Sequence, residues 1–331
     1  MRAAVVTRFG APDVLEVTEV PDPDPGPGEV VIDVSVASVL WVETMIRRTG
    51  GRPYFDVDPP YIPGNGVGGQ VRAVGSDVDP DWLGRRVVAH TCGQGGYAEQ
   101  VALPVESLSV VPEELPVDAA AALLHDGVTA MSVLDTTKVT ADDRVLVVGA
   151  SGGLGIVSVQ LARARGAHVV ATARDRAKLQ RLRDLGLGAT IIDSDAPHWV
   201  IEACETLGSD GATVILDNVG GATGEAAFGL IAPGGRFSAH GTPSGRFAQP
   251  DPAEVERLRV ILTGIGDLQV NMTERQRMTD ELLALAAANT AGSIRNVVGQ
   301  AFSLADAAGA HVAIENRSVF GATQLLTKDV R

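Results

Sequence analysis

Hydrophobic positions along the chain fall into three rhythms. Up to Leu115, valines alternate with polar residues in short runs separated by glycine and proline turns. The stretch Pro21-Asp22-Pro23-Asp24-Pro25-Gly26-Pro27-Gly28 forms turns, and Glu29–Val36 behind it alternates like a half-buried strand. Val67–Val74, Arg86–Ala89 and Tyr97–Leu103 read as further short strands, which predicts a β-rich or barrel-like unit. From Pro116 the rhythm turns helical, with an alanine-rich run at Val117–Leu124 and a second helix at Val128–Asp135. Short apolar strands then alternate with amphipathic helices. The strands are Arg144–Val148, His168–Thr172, Thr190–Ile192, Ala212–Asp217 and Gly235–Ala239; the helices are Ile156–Ala164, Ala177–Leu185, Trp199–Leu207 and Gly224–Leu230. That alternation is the mark of a doubly wound α/β fold with a parallel sheet. A strand at Arg259–Ile265 and a helix at Thr273–Asn289, capped by Thr273, extend it. The tail returns to short segments, Val297–Phe302 and Gln324–Leu326, around a small helix at Leu304–Glu315. It most simply rejoins the first region. The expected division is 1–117 with 292–331, and 118–291.

The strongest chemical signal is the run from Gly149 to Gly155. It sets Gly149-Ala150-Ser151-Gly152-Gly153-Leu154-Gly155 between an apolar strand and a helix. A dinucleotide site needs a glycine for a tight turn, one where backbone meets pyrophosphate and one for close helix–strand packing. The pyrophosphate then rests on the helix N-terminus, where unpaired N–H groups favour an anion. Gly64-Asn65-Gly66-Val67-Gly68-Gly69 fits the bare G-x-G-x-x-G string better. It has no strand before it and no helix after it, so its glycines read as turn residues.

Cofactor choice is read at the end of the second strand. An NAD site holds Asp or Glu there for the ribose 2′-hydroxyl. This chain has Ala173, followed by Arg174 and, one turn on, Lys178; the two cations suit the 2′-phosphate of NADPH. Asp175 between them is expected either to cap the next helix or to turn toward the ribose.

Composition narrows the partners. The 331 residues carry a net charge of −14, which argues against nucleic acid and against anionic membranes. The N-terminus lacks the apolar core of a secretory signal, and no run approaches the ~18 uncharged apolar residues of a membrane span. A cytoplasmic location is the default expectation. Two cysteines, Cys92 and Cys204, stand too far apart in unlike contexts for a disulfide framework or a four-cysteine zinc lobe, and each reads as a small buried hydrophobe.

Further landmarks are Met1-Arg2-Ala3-Ala4-Val5 with Phe9-Gly10, Pro63-Gly64, Gly75 and Gly95-Gly96-Tyr97-Ala98-Glu99. Gly127-Val128-Thr129-Ala130, Asp217-Asn218-Val219-Gly220-Gly221, Gly234-Gly235-Arg236 and Glu315-Asn316-Arg317 through Gly321 complete them. Together with the Ala150–Gly155 turn, they make the chain resemble, over nearly its whole length, the zinc-independent quinone oxidoreductase (zeta-crystallin-like) branch of the medium-chain dehydrogenase/reductase superfamily. The resemblance implies a GroES-like β-rich catalytic domain, a Rossmann domain binding NADPH, a cleft between them and a homodimer. It further implies cofactor contacts at Thr129, Ser151, Gly152, Gly153, Leu154, Gly155, Asn218, Val219, His240, Gly241 and Arg317, beside Arg174 and Lys178.

The zinc enzymes of the superfamily share this fold. Their catalytic-metal positions correspond here to Leu40, Asn65 and Asp126, and one carboxylate is too little for a zinc that wants three ligands. The implied substrate half departs from the family: Leu40 replaces an asparagine, Met45 a polar residue and Gly66 an acidic one. Glu43 keeps the family's carboxylate, and Leu40, Trp41, Met45, Asn65 and Asp126 are expected to line the pocket. The expected activity is hydride transfer from NADPH to a quinone or α,β-unsaturated carbonyl. It rests mostly on positioning, with a proton supplied by His125, His240 or Glu43. Two alternatives stay open: an enoyl-thioester or biosynthetic double-bond reductase, and an NADPH-binding protein with little turnover.

Overall fold

The computed structural model describes residues 1–51, 55–91, 93–288, 294 and 297–327. Cys92, the expected helix end Asn289 and the expected domain boundary at 292 lie outside the described residues. The chain divides into two compact units, one of residues 1–125, 272–288 and 297–327 and the other of residues 126–271 with Ile294.

In the first unit, β1 (Arg2–Val6) and β2 (Leu15–Glu19) pair antiparallel. A seven-stranded sheet is built from β3 (Glu29–Val39), β4 (Gly66–Val74), β5 (Arg86–His90), β6 (Gln100–Pro104), β7 (Leu108–Val110), β14 (Val298–Ser303) and β15 (Ala322–Leu326). Its order is β14-β15-β3-β4-β5-β7, with β6 also on β3. The tail therefore does return to the N-terminal sheet, and Thr323–Leu326 runs antiparallel to Val36–Val39. β3 was expected to be half-buried, yet Val30, Val31 and Ile32 are all buried. It lies in the middle of the sheet, paired with β4, β6 and β15, and its side chains enter two cores, Val30, Ile32 and Val34 in one and Val36 in another with Ala121, Leu124 and Leu283.

A helix that the pattern does not announce, α1 (Trp41–Thr49), follows β3 directly. Leu40 before it offers no side-chain cap, and the Glu43 carboxylate takes the Leu40 N–H instead, at 2.8 Å. The two helices expected around Gly127 form one, α2 (Val117–Thr136), with the unit boundary between His125 and Asp126. It is long and apolar enough by composition to cross a membrane, but 67% of its apolar window is buried inside the structure, as in a core helix.

The second unit alternates strictly: β8 (Arg144–Val148), α3 (Gly153–Ala164), β9 (His168–Ala173), α4 (Arg176–Asp184), β10 (Thr190–Asp193), α5 (Trp199–Leu207), β11 (Ala212–Asp217), α6 (Gly221–Phe228), β12 (Ile231–Ala239), α7 (Pro252–Leu258) and β13 (Ile261–Gly264). The strands are parallel in the order β10-β9-β8-β11-β12-β13, the Rossmann order, which reverses direction between β8 and β11. Leu146, Val148, Val170, Ile192, Ile215 and Phe237 share its core, and strands buried on both faces explain the continuous apolar runs. β12 begins four residues earlier than expected, because its register shifts where Pro233-Gly234-Gly235 interrupt the apolar pattern. Cys204 is exposed, against expectation: α5 buries Trp199, Ala203 and Leu207 at i, i+4 and i+8, and Cys204 falls off that stripe.

Helix α8 (Met272–Ala287) groups with the β-rich unit although it was expected in the Rossmann unit. Gln276 donates to the Leu108 carbonyl at 2.8 Å, and Leu283 packs with Val36, Val88 and Val111. Thr273, the expected cap, sits inside its first turn. The tail helix is α9 (Ala307–Glu315), preceded by a short 3-10 turn.

Candidate active site

In the second unit, β8 runs into Gly149, whose φ of 76° is the left-handed region that glycine enters freely. A Cβ there would also meet Val219 Cγ2 at 2.5 Å. Gly152 precedes the first residue of α3, and nothing lies within 4 Å of where its Cβ would stand. Gly155 is the opposite case, because a Cβ would come within 2.5 Å of the Gly149 carbonyl oxygen and 2.7 Å of Ala150 Cα. One glycine turns the chain, one leaves room before a helix N-terminus with unpaired N–H groups, and one lets α3 press onto the strand. The turning role falls to Gly149, one residue earlier than the strict motif assigns it to Ala150. These residues fit a dinucleotide pyrophosphate. Of Gly64–Gly69, by contrast, only Gly64 precedes the strand; Gly66, Gly68 and Gly69, expected as turn residues, lie within β4, where close neighbours leave little room for a Cβ, and no helix follows them.

At the end of β9, Asp175 adopts φ 73° and its carboxylate accepts from Ala177 N at 2.9 Å and Lys178 N at 3.1 Å. It is the N-cap of α4, so of its two expected roles the structure takes the first. Arg174 is exposed and Lys178 half-buried. Burial first, and Arg174 less, pull the Lys178 pKa down against the opposing Asp175.

Across the switch point, Asn218 donates to the Val148 carbonyl at 2.9 Å and its Oδ1 lies 2.9 Å from His240 Nε2. Ser238 Oγ stands 3.0 Å from His240 Nδ1. With the Asn218 amide nitrogen committed to Val148, Nε2 of His240 must donate and Nδ1 accept, which fixes a neutral tautomer. Burial lowers the His240 pKa to about 4. The ring is thus a strut between β12 and the Asn218–Val219 corner. Gly241 follows it and donates to the Asp217 carbonyl at 2.8 Å. Thr129 is half-buried on α2, and Arg317, in the first unit, is exposed just past α9 with φ 54°.

In the first unit, Glu43 is buried and organises its surroundings. Its carboxylate accepts from Leu40 N at 2.8 Å, Asn65 N at 2.8 Å and Tyr97 Oη at 2.6 Å. Tyr97, having given its proton, accepts from His311 Nε2 at 3.1 Å. Burial outweighs these hydrogen bonds and pushes the Glu43 pKa up to about 7. Leu40 and Asn65 are therefore held by the same carboxylate. The Asn65 carbonyl accepts from Thr91 N at 3.2 Å, and Thr91 follows His90, which pairs with Gly66 across β4 and β5. The His90 ring meets the His125 ring edge to face, 6.5 Å between centroids. Leu40, Asn65 and His125 are thus brought into one neighbourhood. Trp41 and Met45 are half-buried on α1.

His90, Tyr97 and His311 were not singled out by sequence as a site, and neither was Arg275 on α8. His90 at a strand end was a weak signal, and Arg275 had none, since its electrostatic effect on the two histidines arises only in the folded chain. Burial and Arg275 lower His125 to about 4, and burial, Arg275 and His125 lower His90 to about 3 against an opposing hydrogen bond with the Asn65 backbone. Burial alone raises Asp126 to about 7.

Two family models match the chain: "Alcohol dehydrogenase GroES-like domain" over residues 26–113 and "Zinc-binding dehydrogenase" over residues 153–288. A 2-haloacrylate reductase from a Burkholderia species is 31% identical over 98% of this chain and 98% of its own length. A quinone oxidoreductase from Pseudomonas aeruginosa is 30% identical over 96% and 97%. The chain belongs to the quinone oxidoreductase branch of the medium-chain dehydrogenase/reductase superfamily. A solved member of that branch, Escherichia coli quinone oxidoreductase complexed with NADPH, superposes with a TM-score of 0.88 at 26% identity, covering 98% of this chain and 100% of that one.

For this member of the quinone oxidoreductase branch, the zinc of the second family model's description can be tested on the donor set. Leu40 and Asn65 offer no metal-binding group of the right kind, and Asp126 alone remains. Among the described residues, no group of three His, Cys, Asp or Glu side chains is placed to hold a metal ion. The residues do not fit zinc.

Proposed function

We propose that this quinone oxidoreductase relative is an NADPH-dependent reductase that reduces a quinone or an α,β-unsaturated carbonyl compound without a metal. The observation that carries the reading is the Gly149–Gly152–Gly155 turn at the switch point of a Rossmann sheet, in a chain whose metal positions hold Leu40, Asn65 and Asp126. The quinone and haloacrylate reductases among its relatives and the NADPH in its structural neighbour support the same class. NADPH supplies the hydride. The β-rich unit acts as the catalytic domain and the Rossmann unit as the NADPH-binding domain, with α8 joining the former.

Residue roles follow from the local chemistry. Gly152 and the first turn of α3 take the pyrophosphate, while Arg174 and Lys178 take the 2′-phosphate. His240 holds Asn218 and Val219 at the nicotinamide end by its ring and leaves its backbone, with that of Gly241, to the cofactor. His125, neutral at physiological pH, donates a hydrogen bond rather than acting as an imidazolium acid. Asp126, titrating near neutrality, is the better-matched proton source. Glu43, which holds Leu40 and Asn65, positions the pocket.

A single assay tests the reading. NADPH or NADH is offered with a panel of quinones, enones and enoyl thioesters, and loss of nicotinamide absorbance is followed for wild type and for Arg174→Ala with Lys178→Ala. The expected result is turnover with quinones or enones, and a double variant that loses affinity for NADPH by about 10- to 100-fold while NADH changes little, because charged hydrogen bonds to phosphate vanish. Turnover confined to thioesters would favour the double-bond reductase. Tight NADPH binding with no turnover on any acceptor would overturn the enzyme reading. Equal loss for both cofactors would free the two cations of any 2′-phosphate role.

The reading takes the protein as a cytoplasmic homodimer. β13 is an edge strand with Ile261 and Leu262 exposed at 60% and 46%, an apolar edge suited to pairing with a second copy. A monomer mass by light scattering would remove this part of the proposal.

A further inference from the structure

The tail of the chain holds the segment around Leu40 at three points, all within the β-rich unit. β15 pairs with β3 up to its last residue, where Thr323 stands opposite Val39, the neighbour of Leu40. His311 of α9 lies 3.1 Å from Tyr97 Oη, and Tyr97 gives its hydroxyl proton to Glu43 of α1 at 2.6 Å. At the far end of α1, Arg47 pairs with Glu315 of α9. Arg47 also donates from Nη1 to the Gly10 carbonyl at 2.9 Å, and Gly10 N donates back to the Arg47 carbonyl at 3.1 Å. Glu43 and Arg47 are four residues apart on α1, as His311 and Glu315 are on α9, so the two helices are joined turn against turn. Trp41 and Met45 are spaced in the same way on α1, but each is two residues from an anchor. Two residues are about 200° of helical rotation, so Trp41 and Met45 occupy the opposite side and stay half-buried. Arg47 itself is 0% exposed, and burial pulls its pKa down against Glu315. A buried ion pair of this kind is often no more stabilising than apolar residues of the same size. What it adds is direction, because paired and hydrogen-bonded groups fix one arrangement where aliphatic contacts tolerate sliding and rotation.

We propose that Tyr97, His311, Arg47 and Glu315 are positioning residues for the reduction, through which the tail helix α9 sets the rotation of α1 and so the place where Leu40, Trp41 and Met45 meet the acceptor. This rests on the reductase reading above and on its acceptor pocket. Tyr97 and His311 act through Glu43, whose carboxylate holds the N–H groups of Leu40 and Asn65. Arg47 and Glu315 act through the helix that carries Trp41 and Met45. Acceptor placement thereby depends on a residue 268 positions beyond Arg47. The cofactor turn at Gly149–Gly155 belongs to the other unit and is held by none of these contacts.

The test follows NADPH oxidation by 1,4-benzoquinone and by 1,4-naphthoquinone, acceptors that differ by one fused ring. Arg47→Met and His311→Leu are expected to raise the acceptor KM and to lower kcat/KM by about 10- to 100-fold, the effect of misplacing a reacting group by about 1 Å. The two quinones should suffer unequally, while NADPH affinity by fluorescence titration stays that of wild type. His311→Gln, whose amide nitrogen can donate to Tyr97 as Nε2 of His311 does, is expected to recover most of the loss. If Arg47→Met does not fold, Glu315→Gln keeps a hydrogen-bond acceptor for the guanidinium, removes the charge and should shift the acceptor KM in the same direction. A purely structural role would only reduce the folded fraction, which lowers the apparent kcat for both quinones alike at unchanged KM. That result, or kinetics like those of wild type in His311→Leu, overturns the positioning role and leaves the reductase reading standing. If the wild type reduces neither quinone, so that the reductase reading itself is in question, amide hydrogen exchange decides the tie. Faster exchange at residues 40–50 in His311→Leu than in His311→Gln upholds it, and equal protection rejects it.

Discussion

Gly155→Ala is expected to destroy NADPH binding and to lower the unfolding midpoint of the whole protein. The added methyl would come within 2.5 Å of the Gly149 carbonyl oxygen and 2.7 Å of Ala150 Cα, and both obstacles are backbone. Neither can rotate away, so α3 must lift from β8 and carry its N-terminal N–H groups off the pyrophosphate position. Forced overpacking of this kind costs about 1–3 kcal/mol, and a displaced helix terminus costs the cofactor its anion site. Titration of NADPH fluorescence should show affinity lowered by at least about 100-fold, the equivalent of about 2.7 kcal/mol. Gly152→Ala is the internal contrast. Nothing lies within 4 Å of its Cβ, so melting should be unchanged while the methyl intrudes on the space a pyrophosphate needs. Normal NADPH affinity in both variants would remove the turn from the cofactor site.

Glu43→Ala should be the most destabilising single change in the β-rich unit. It leaves the N–H groups of Leu40 and Asn65 and the hydroxyl of Tyr97 buried or half-buried without their acceptor. At about 1–3 kcal/mol for each stranded donor, with partial relaxation, a loss of about 3–5 kcal/mol is expected in denaturant titrations. Glu43→Gln keeps the shape and should cost less, and it isolates the charge. The folded-state pKa of Glu43 is raised from 4.5 to about 7, chiefly by burial. A carboxyl so raised contributes stability fully below its unfolded value, and that contribution is lost as pH rises through 7. The stability of wild type relative to Glu43→Gln should therefore increase as pH falls from 8 to 5. A difference that stays level across that range would mean that the carboxyl titrates normally and that burial does not dominate its environment. Since the same carboxylate holds Leu40 and Asn65, kcat/KM should fall with Glu43→Ala even at temperatures where the variant remains folded.

The parts of the proposed site legible in the sequence are those made by consecutive residues. The glycine turn, the Ala173–Arg174–Lys178 segment and the corner at Asn218 each lie at one strand-to-helix junction, where spacing alone sets geometry. Trp199–Leu207 and Ala212–Asp217 were readable to the residue because apolar periodicity and burial coincide there. α1 was not, because Leu40 offers no cap and its substitute, Glu43, acts from inside the helix. α8 carries a readable amphipathic pattern, but the pattern does not say which sheet receives its apolar face. Asp175 left two roles open, and only the local φ of 73° with its two N–H donors selected the cap.

The sequence by itself determined a Rossmann unit with a dinucleotide turn, a β-rich partner unit closed by the tail, and metal positions without ligands. Each follows from local periodicity, from glycine at fixed offsets or from the presence or absence of a donor atom, and none needs distant residues to meet. The tertiary structure alone decided which long-range partners the ionisable groups have. Residues 43, 65 and 97 share one carboxylate, and the rings of His90 and His125 meet edge to face. Burial and neighbouring charge set the protonation of these groups, and both are properties of the packed chain. The glycine turn could therefore be found by reading, whereas the lowering of the His125 pKa to about 4, first by burial, is a property of the packed chain alone.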